Sequence, residues 1–141
     1  MNKGLLVLVV MIAAILAGRL AEAGIVDNGD GTATDTDTKL TWQVKGDGLL
    51  RNWEKAQSYC AELSLGGQSR WHLPDGKELF SLYEAKNKLA SGSSMFPSAL
   101  TSAYWTSTPY PNMPQAMYVN FSGGTAGNDG KSSPHYVHCV R

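Results

Sequence analysis

Hydrophobic and polar residues alternate in three different rhythms along this chain. Leu5 to Leu16 is an unbroken apolar run. From Trp53 to Leu65, apolar or small residues recur at Trp53, Ala56, Tyr59, Cys60 and Leu63, the stripe of an amphipathic helix. From Tyr104 onward the pattern shortens. Tyr104 to Thr108 suits a strand, Met117 to Phe121 alternates like one, and Tyr136 to Arg141 closes the chain as another.

The signals between these runs set the elements. Asn28-Gly29 and Asp30-Gly31 are tight-turn pairs, since glycine accepts positive φ. Thr32 to Thr34 and Lys39 to Val44 are then strands of a hairpin, with Trp42 directed inward. Asn52 caps the first helix and Glu54 suits its positive end. Gly66-Gly67 is expected to stop that helix. Trp71 to Pro74 is extended, because proline disfavours helix in the residue before it. Asp75 with Glu78 forms a capping box for a second helix running to about Leu89, with Leu79, Leu82, Tyr83 and Leu89 on one side. Ser91 to Ser94 is a loop, the three prolines from Pro109 to Pro114 make another, and Gly123-Gly124 turns. Strands, two helices and then strands predict an α+β fold, with the helices packed on short antiparallel strands.

The opening run changes the picture of where the chain resides. Lys3 supplies a positive start, and Ala21-Glu22-Ala23 supplies the small residues of a cleavage site before Gly24. This is the grammar of a secretory signal. The run is shorter than the roughly 20 residues of a comfortable bilayer span. Residues 1–23 are therefore expected to be removed, leaving one domain, residues 24–141, with no stable membrane span. The location is extracellular, cell surface or periplasm. No cysteine follows the run to take a lipid anchor. An even pair, Cys60 and Cys139, in an exported chain favours a disulfide. No CxxC spacing supports a redox or metal role.

Charge excludes more than it suggests. Without Lys3, Arg19 and Glu22, ten basic and eleven acidic residues remain of the chain's twelve and twelve. With no basic block or arginine stripe, nucleic acid is not an expected partner. Asp27, Asp30, Asp35 and Asp37 lack the spacing and bidentate glutamate of an EF-hand loop, so turn chemistry accounts for them.

Nine short motifs follow one another in order. They are Asp30-Gly31-Thr32, Leu40-Thr41-Trp42, Trp53-x-x-Ala56, Tyr59-Cys60-x-x-Leu63, Trp71-x-Leu73-Pro74, Glu78-Leu79, Phe96-Pro97, Tyr104-Trp105-x-Ser107 and Cys139-Val140-Arg141. Together they resemble the Lcl C-terminal domain family, named for the terminal domain of a collagen-like bacterial adhesin. The resemblance covers Gly24 to Arg141. It implies a C-type-lectin-like fold, related also to formylglycine-generating enzymes, in which a cysteine of the first helix bonds one in the last strand. The family usually has arginine where His72 and His138 stand here. Loss of those cations weakens an inherited polyanion site and opens the two positions to pH dependence.

The chain offers no catalytic constellation. The Tyr110-Pro111-Asn112 and Tyr118-Val119-Asn120 segments lack the acid that calcium-dependent lectins of the broader fold use. The two cysteines are assigned to a structural bond, which leaves none for formylglycine-type chemistry. His135 and His138, three apart on a strand, point to opposite faces and do not share a metal. No nucleophile-elbow motif marks a serine. No cofactor and no metal are expected. The candidate ligand-binding residues are Trp105, Tyr110, Asn112, Met113 and Tyr118, around the proline-rich loop. Aromatic faces pack on sugar rings and partner side chains. Tyr104, Trp105 and Tyr118 also read as core residues of the sheet, and for Trp105 the core is the favoured reading. The expected function is non-catalytic recognition or adhesion at the bacterial envelope or surface, with a polysaccharide or surface protein as partner. The alternative is a structural subunit of an envelope or extracellular assembly that associates with itself.

Overall fold

A computed structural model describes residues 24–89, 96 and 102–141. The leader and the Ser91–Ser94 loop lie outside the described residues. β1 (Ile25–Asp27), β2 (Thr32–Asp35) and β3 (Thr41–Gln43) form one antiparallel sheet in chain order. α1 (Trp53–Glu62) and α2 (Gly76–Asn87) follow. β4 (Ala103–Pro109), β5 (Gln115–Asn120) and β6 (Thr125–Gly130) make a second antiparallel sheet. The α+β arrangement of two helices on short antiparallel strands is therefore present. Among the described residues, no helix is long and apolar enough to cross a membrane.

Local chemistry explains most element ends. Asp27 Oδ1 accepts from Gly29 N at 2.9 Å, and Asp30 Oδ1 accepts from Thr32 N at 3.0 Å and from its hydroxyl at 2.6 Å. These aspartates shape the first hairpin. Asn52 Oδ1 caps α1 by accepting from Lys55 N at 2.9 Å. Asp75 and Glu78 complete a reciprocal capping box on α2, at 2.7 and 3.0 Å.

Three expected boundaries are corrected. α1 ends at Glu62, with Leu63 already extended, four residues before Gly66-Gly67. That pair instead makes a two-residue turn. Both glycines have positive φ, 59° and 70°, and Leu65 and Gln68 exchange backbone hydrogen bonds at 3.0 Å across it, as in tight hairpins. Tyr136 to Arg141 is not one continuous strand. Its partner changes along its length, to β4 at Tyr136 and then to both Trp42 and His72 at Val140. The chain end thereby stitches the two sheets together. α2 stops at Asn87, two residues short of Leu89.

Two hydrophobic clusters occupy opposite faces of β4 and β5. Trp42, Leu79, Leu82, Tyr104, Val119 and Val140 belong to one. Ala56, Cys60, Trp71, Leu73, Trp105, Ala116 and Cys139 belong to the other. Neighbours in sequence, such as Tyr104 and Trp105 or Cys139 and Val140, enter different clusters because strand side chains alternate. Trp42 and Leu79 are fully buried, each worth about 1.5–3 kcal/mol of transfer free energy. Cys60 on α1 is bonded to Cys139, with their Cα atoms 5.4 Å apart.

Candidate functional site

The β4–β5 connection is built to project. Tyr110 N donates to Gln115 O at 2.9 Å and closes the loop. Asn112 turns it with a left-handed φ of 60°; asparagine tolerates that region better than most residues. Pro111 and Pro114 restrict the flanks. Tyr110 and Met113 are 42% and 48% exposed at the tip, with Asn112 exposed between them.

Of the five residues expected to contact a ligand, these three share the tip. Trp105 does not join them. It is fully buried in the second cluster, and its Nε1 donates to Arg51 O at 2.8 Å. Its role is to hold the segment before α1, which corrects its reading as a contact residue. Tyr118 pairs with Trp105 across the sheet and is half-buried. Its ring stacks on His135 at 4.9 Å and lies over Gly127.

The structure adds two residues that the sequence did not single out as contacts. Lys131 N donates to Pro114 O at 3.0 Å, and Trp53 N donates to Lys131 O at 2.9 Å. The Lys131 ammonium sits 4.5 Å from the Trp53 ring centre, a cation–π arrangement. Trp53 Nε1 donates to Thr106 O at 2.7 Å and fixes the indole. Asn52, Gln57 and Ser132 join Trp53 and Lys131 in lining an open groove of about 340 Å³. The helical stripe gave Trp53 an inward direction, and it is in fact half-buried. Lys131 carries no motif and comes into place only through β6. Nearby, the Arg51 guanidinium lies 3.9 Å from the Tyr59 ring centre and is paired with Asp47. That pairing holds the Asp47 carboxyl below the usual carboxylate range.

The three histidines are separated. His72 Nε2 lies 3.3 Å from Glu78 Oε1 at the surface. His135 Nε2 meets Asp129 Oδ2 at 2.9 Å, and the Ser133 hydroxyl donates to the same carboxylate at 3.0 Å. The serine thus bonds the acid rather than the imidazole, which is not the order of a nucleophile and its base. His138 is buried beside Tyr104 and Phe96, on the other side of the sheet from His135. Its burial pushes its pKa down to about 4, against a hydrogen bond to Gln43 O that raises it. Among the described residues, no group of three or more histidine, cysteine or acidic side chains is placed to hold a metal ion.

No curated protein matches the chain. Among solved structures, the crystal structure of botrocetin is similar, with a TM-score of 0.46 and 9% sequence identity over 72% of this chain and 89% of that one. Residues 31–141 match the family described as the Lcl C-terminal domain. The chain belongs to the Lcl C-terminal domain family.

Proposed function

We propose that the chain is an exported, non-catalytic recognition module with a C-type-lectin-like fold, binding a polysaccharide or a surface protein at the cell envelope or surface. The observation that carries this reading is the hydrogen bond from Lys131 N to Pro114 O. It joins the exposed hairpin tip to the Trp53–Lys131 groove. Tyr110, Met113 and Trp53 then supply apolar faces, while Asn112, Gln57 and Lys131 supply polar groups, the mixture of a recognition surface. The surface rests on a sheet and a disulfide, so little order need be gained on binding. The leader-like opening and the Cys60–Cys139 bond support export, because disulfides persist in oxidising compartments. At position 138 the side chain is buried, so the residue there adds no cation to a polyanion-binding surface.

The test is an immobilised-glycan screen, sulfated polymers included, with the oxidised protein and its Tyr110→Ala, Asn112→Ala and Lys131→Ala variants. Saturable binding is expected to fall at least about tenfold in the combined variant, as for loss of one hot spot. The melting curve should barely move for Tyr110→Ala and Lys131→Ala, as is usual for surface changes within about 0.5 kcal/mol, while Asn112→Ala should lower it modestly, because alanine tolerates the left-handed φ of 60° less well. Absence of glycan binding, together with a size that grows with concentration, would replace this reading with an assembly subunit.

A further inference from the structure

The two walls of the Trp53–Lys131 groove come from distant parts of the chain, and both are tied to His135. One wall starts at Arg51, directly before the Asn52 cap and Trp53. Arg51 N donates to His135 O at 2.9 Å, and His135 N donates to Arg51 O at 3.0 Å. The other wall is the turn after β6, closed by the bond from Ser133 N to Gly130 O at 2.8 Å. Lys131 and Ser132 are its central residues. No ion pair among the described residues holds the Lys131 ammonium. Its place on Trp53 is therefore set by where the turn puts its backbone.

The Asp129 carboxylate fastens that turn to His135. Its Oδ1 accepts from Gly130 N at 2.8 Å and from the Ser133 hydroxyl at 3.0 Å. Its Oδ2 faces His135 Nε2 at 2.9 Å. Burial alone would raise the Asp129 pKa, yet the bonds from His135, Gly130 N and Ser133 hold it below the usual carboxylate range. An ionised carboxylate only accepts, so Nε2 carries the proton. The imidazole is itself confined. It stacks on Tyr118 at 4.9 Å and meets Trp105 edge-on at 4.5 Å. Trp105 Nε1 in turn donates to Arg51 O at 2.8 Å. A fixed ring thus stands between the start of α1 and the turn.

We propose that Asp129 and His135 are positioning residues of the groove: together they hold the Gly130–Ser133 turn so that the Lys131 ammonium rests on the Trp53 ring. Neither side chain lines the groove, so both act through the backbone that carries Lys131. Contact groups keep a set geometry when residues behind them lock it by packing and hydrogen bonds. The functional weight of the assignment rests on reading the groove as part of the recognition surface.

The experiment is ligand-free NMR of the oxidised protein, at a pH that keeps the imidazole neutral. An ammonium over an aromatic face lies in its ring current, so the Lys131 side-chain methylenes are expected upfield of their random-coil positions. Asp129→Ala should return them most of the way, with the α2 amides unmoved as the check on the fold. Asp129→Asn should preserve the displacement, because its oxygen still accepts from Gly130 N and Ser133 while its amide donates to Nε2. The His135 proton should then switch from Nε2 to Nδ1, read in the ring nitrogen shifts. Ser133→Ala removes one of the bonds to the carboxylate and should give a partial return, which keeps the test available if Asp129→Ala does not fold. Lys131 resonances that stay displaced in the folded alanine variants would overturn the proposal, as would loss of the displacement in Asp129→Asn. No ligand enters these measurements, so they stand or fall apart from the glycan screen. Within that screen, Asp129→Ala should weaken binding about as much as Lys131→Ala. Binding that survives Asp129→Ala but not Lys131→Ala would overturn the positioning role.

Discussion

At position 138, an imidazole sealed among aromatic rings couples stability to acidity. The folded state holds its pKa near about 4, while the unfolded chain titrates near its ordinary value of about 6.5. The unfolded state therefore binds the proton first as pH falls. Stability from this group is complete above about pH 6.5 and is lost progressively down to about pH 4, a change on the order of 3 kcal/mol. Asp30, held below the usual carboxylate range by hydrogen bonds from Thr32, adds its own loss only at lower pH. Urea unfolding at stepped pH should show the decline between 6.5 and 4, and a folded His138→Phe variant should flatten it. A flat wild-type profile over that window would refute the assignment. The sequence marked this position for pH dependence near neutrality. Alternation gave the direction of its side chain but not the depth of the layer it enters, and depth moves the titration to acid. A second residue-scale constraint is Gly127. A Cβ there would lie 2.6 Å from the Tyr118 hydroxyl oxygen, and Tyr118 is itself stacked on His135, which is bonded to Asp129. Gly127→Ala is expected to cost about 1–3 kcal/mol, as overpacking does, read as a lowered denaturant midpoint with an unchanged slope.

Among the elements, α2 depends most visibly on its first turn. Asp75→Ala removes the side-chain acceptor for Glu78 N, leaving only the reciprocal bond from the residue-75 backbone N–H to Glu78 Oε1. A loss of about 0.5–2 kcal/mol is expected, while Asp75→Asn should retain most of the cap. Thermal melts followed by circular dichroism separate the two. This cap, like that of α1 at Asn52, was legible because capping is a contract between residues three apart. β6 was not legible. Thr125-Ala126-Gly127-Asn128-Asp129-Gly130 contains no aromatic residue and a single β-branched one, so propensity argues against a strand. It is a strand because β5 offers six consecutive pairings. Gly66-Gly67 misled for a related reason. Paired glycines permit positive φ wherever it is needed, and their sequence alone does not separate a helix stop from a hairpin turn.

On the scale of the whole molecule, the leader-like opening and cysteine parity were enough to expect a disulfide, and the order of elements was enough for the α+β class. The proposed recognition surface was half legible. Tyr110, Asn112 and Met113 are close in sequence, whereas Trp53 and Lys131 meet only through backbone contacts among α1, β6 and the hairpin. The bond itself closes a separation of 79 residues, for which loop entropy gives about 4–5 kcal/mol. Cys60→Ala with Cys139→Ala should lose much of that in denaturant titrations, and a loss below about 1 kcal/mol would show that the unfolded reference remains compact. The same bond also governs how the protein answers to pulling. Tension applied at the two ends passes through the sulfur bridge and bypasses everything between Cys60 and Cys139. At about 3.5 Å per residue, roughly 280 Å of chain is withheld from extension. The hairpin tip, Lys131 and the β4–β6 sheet all lie inside that protected length, so a tether drawn taut would fray the first hairpin and load the Trp53 side of the groove while the hairpin tip carries no load.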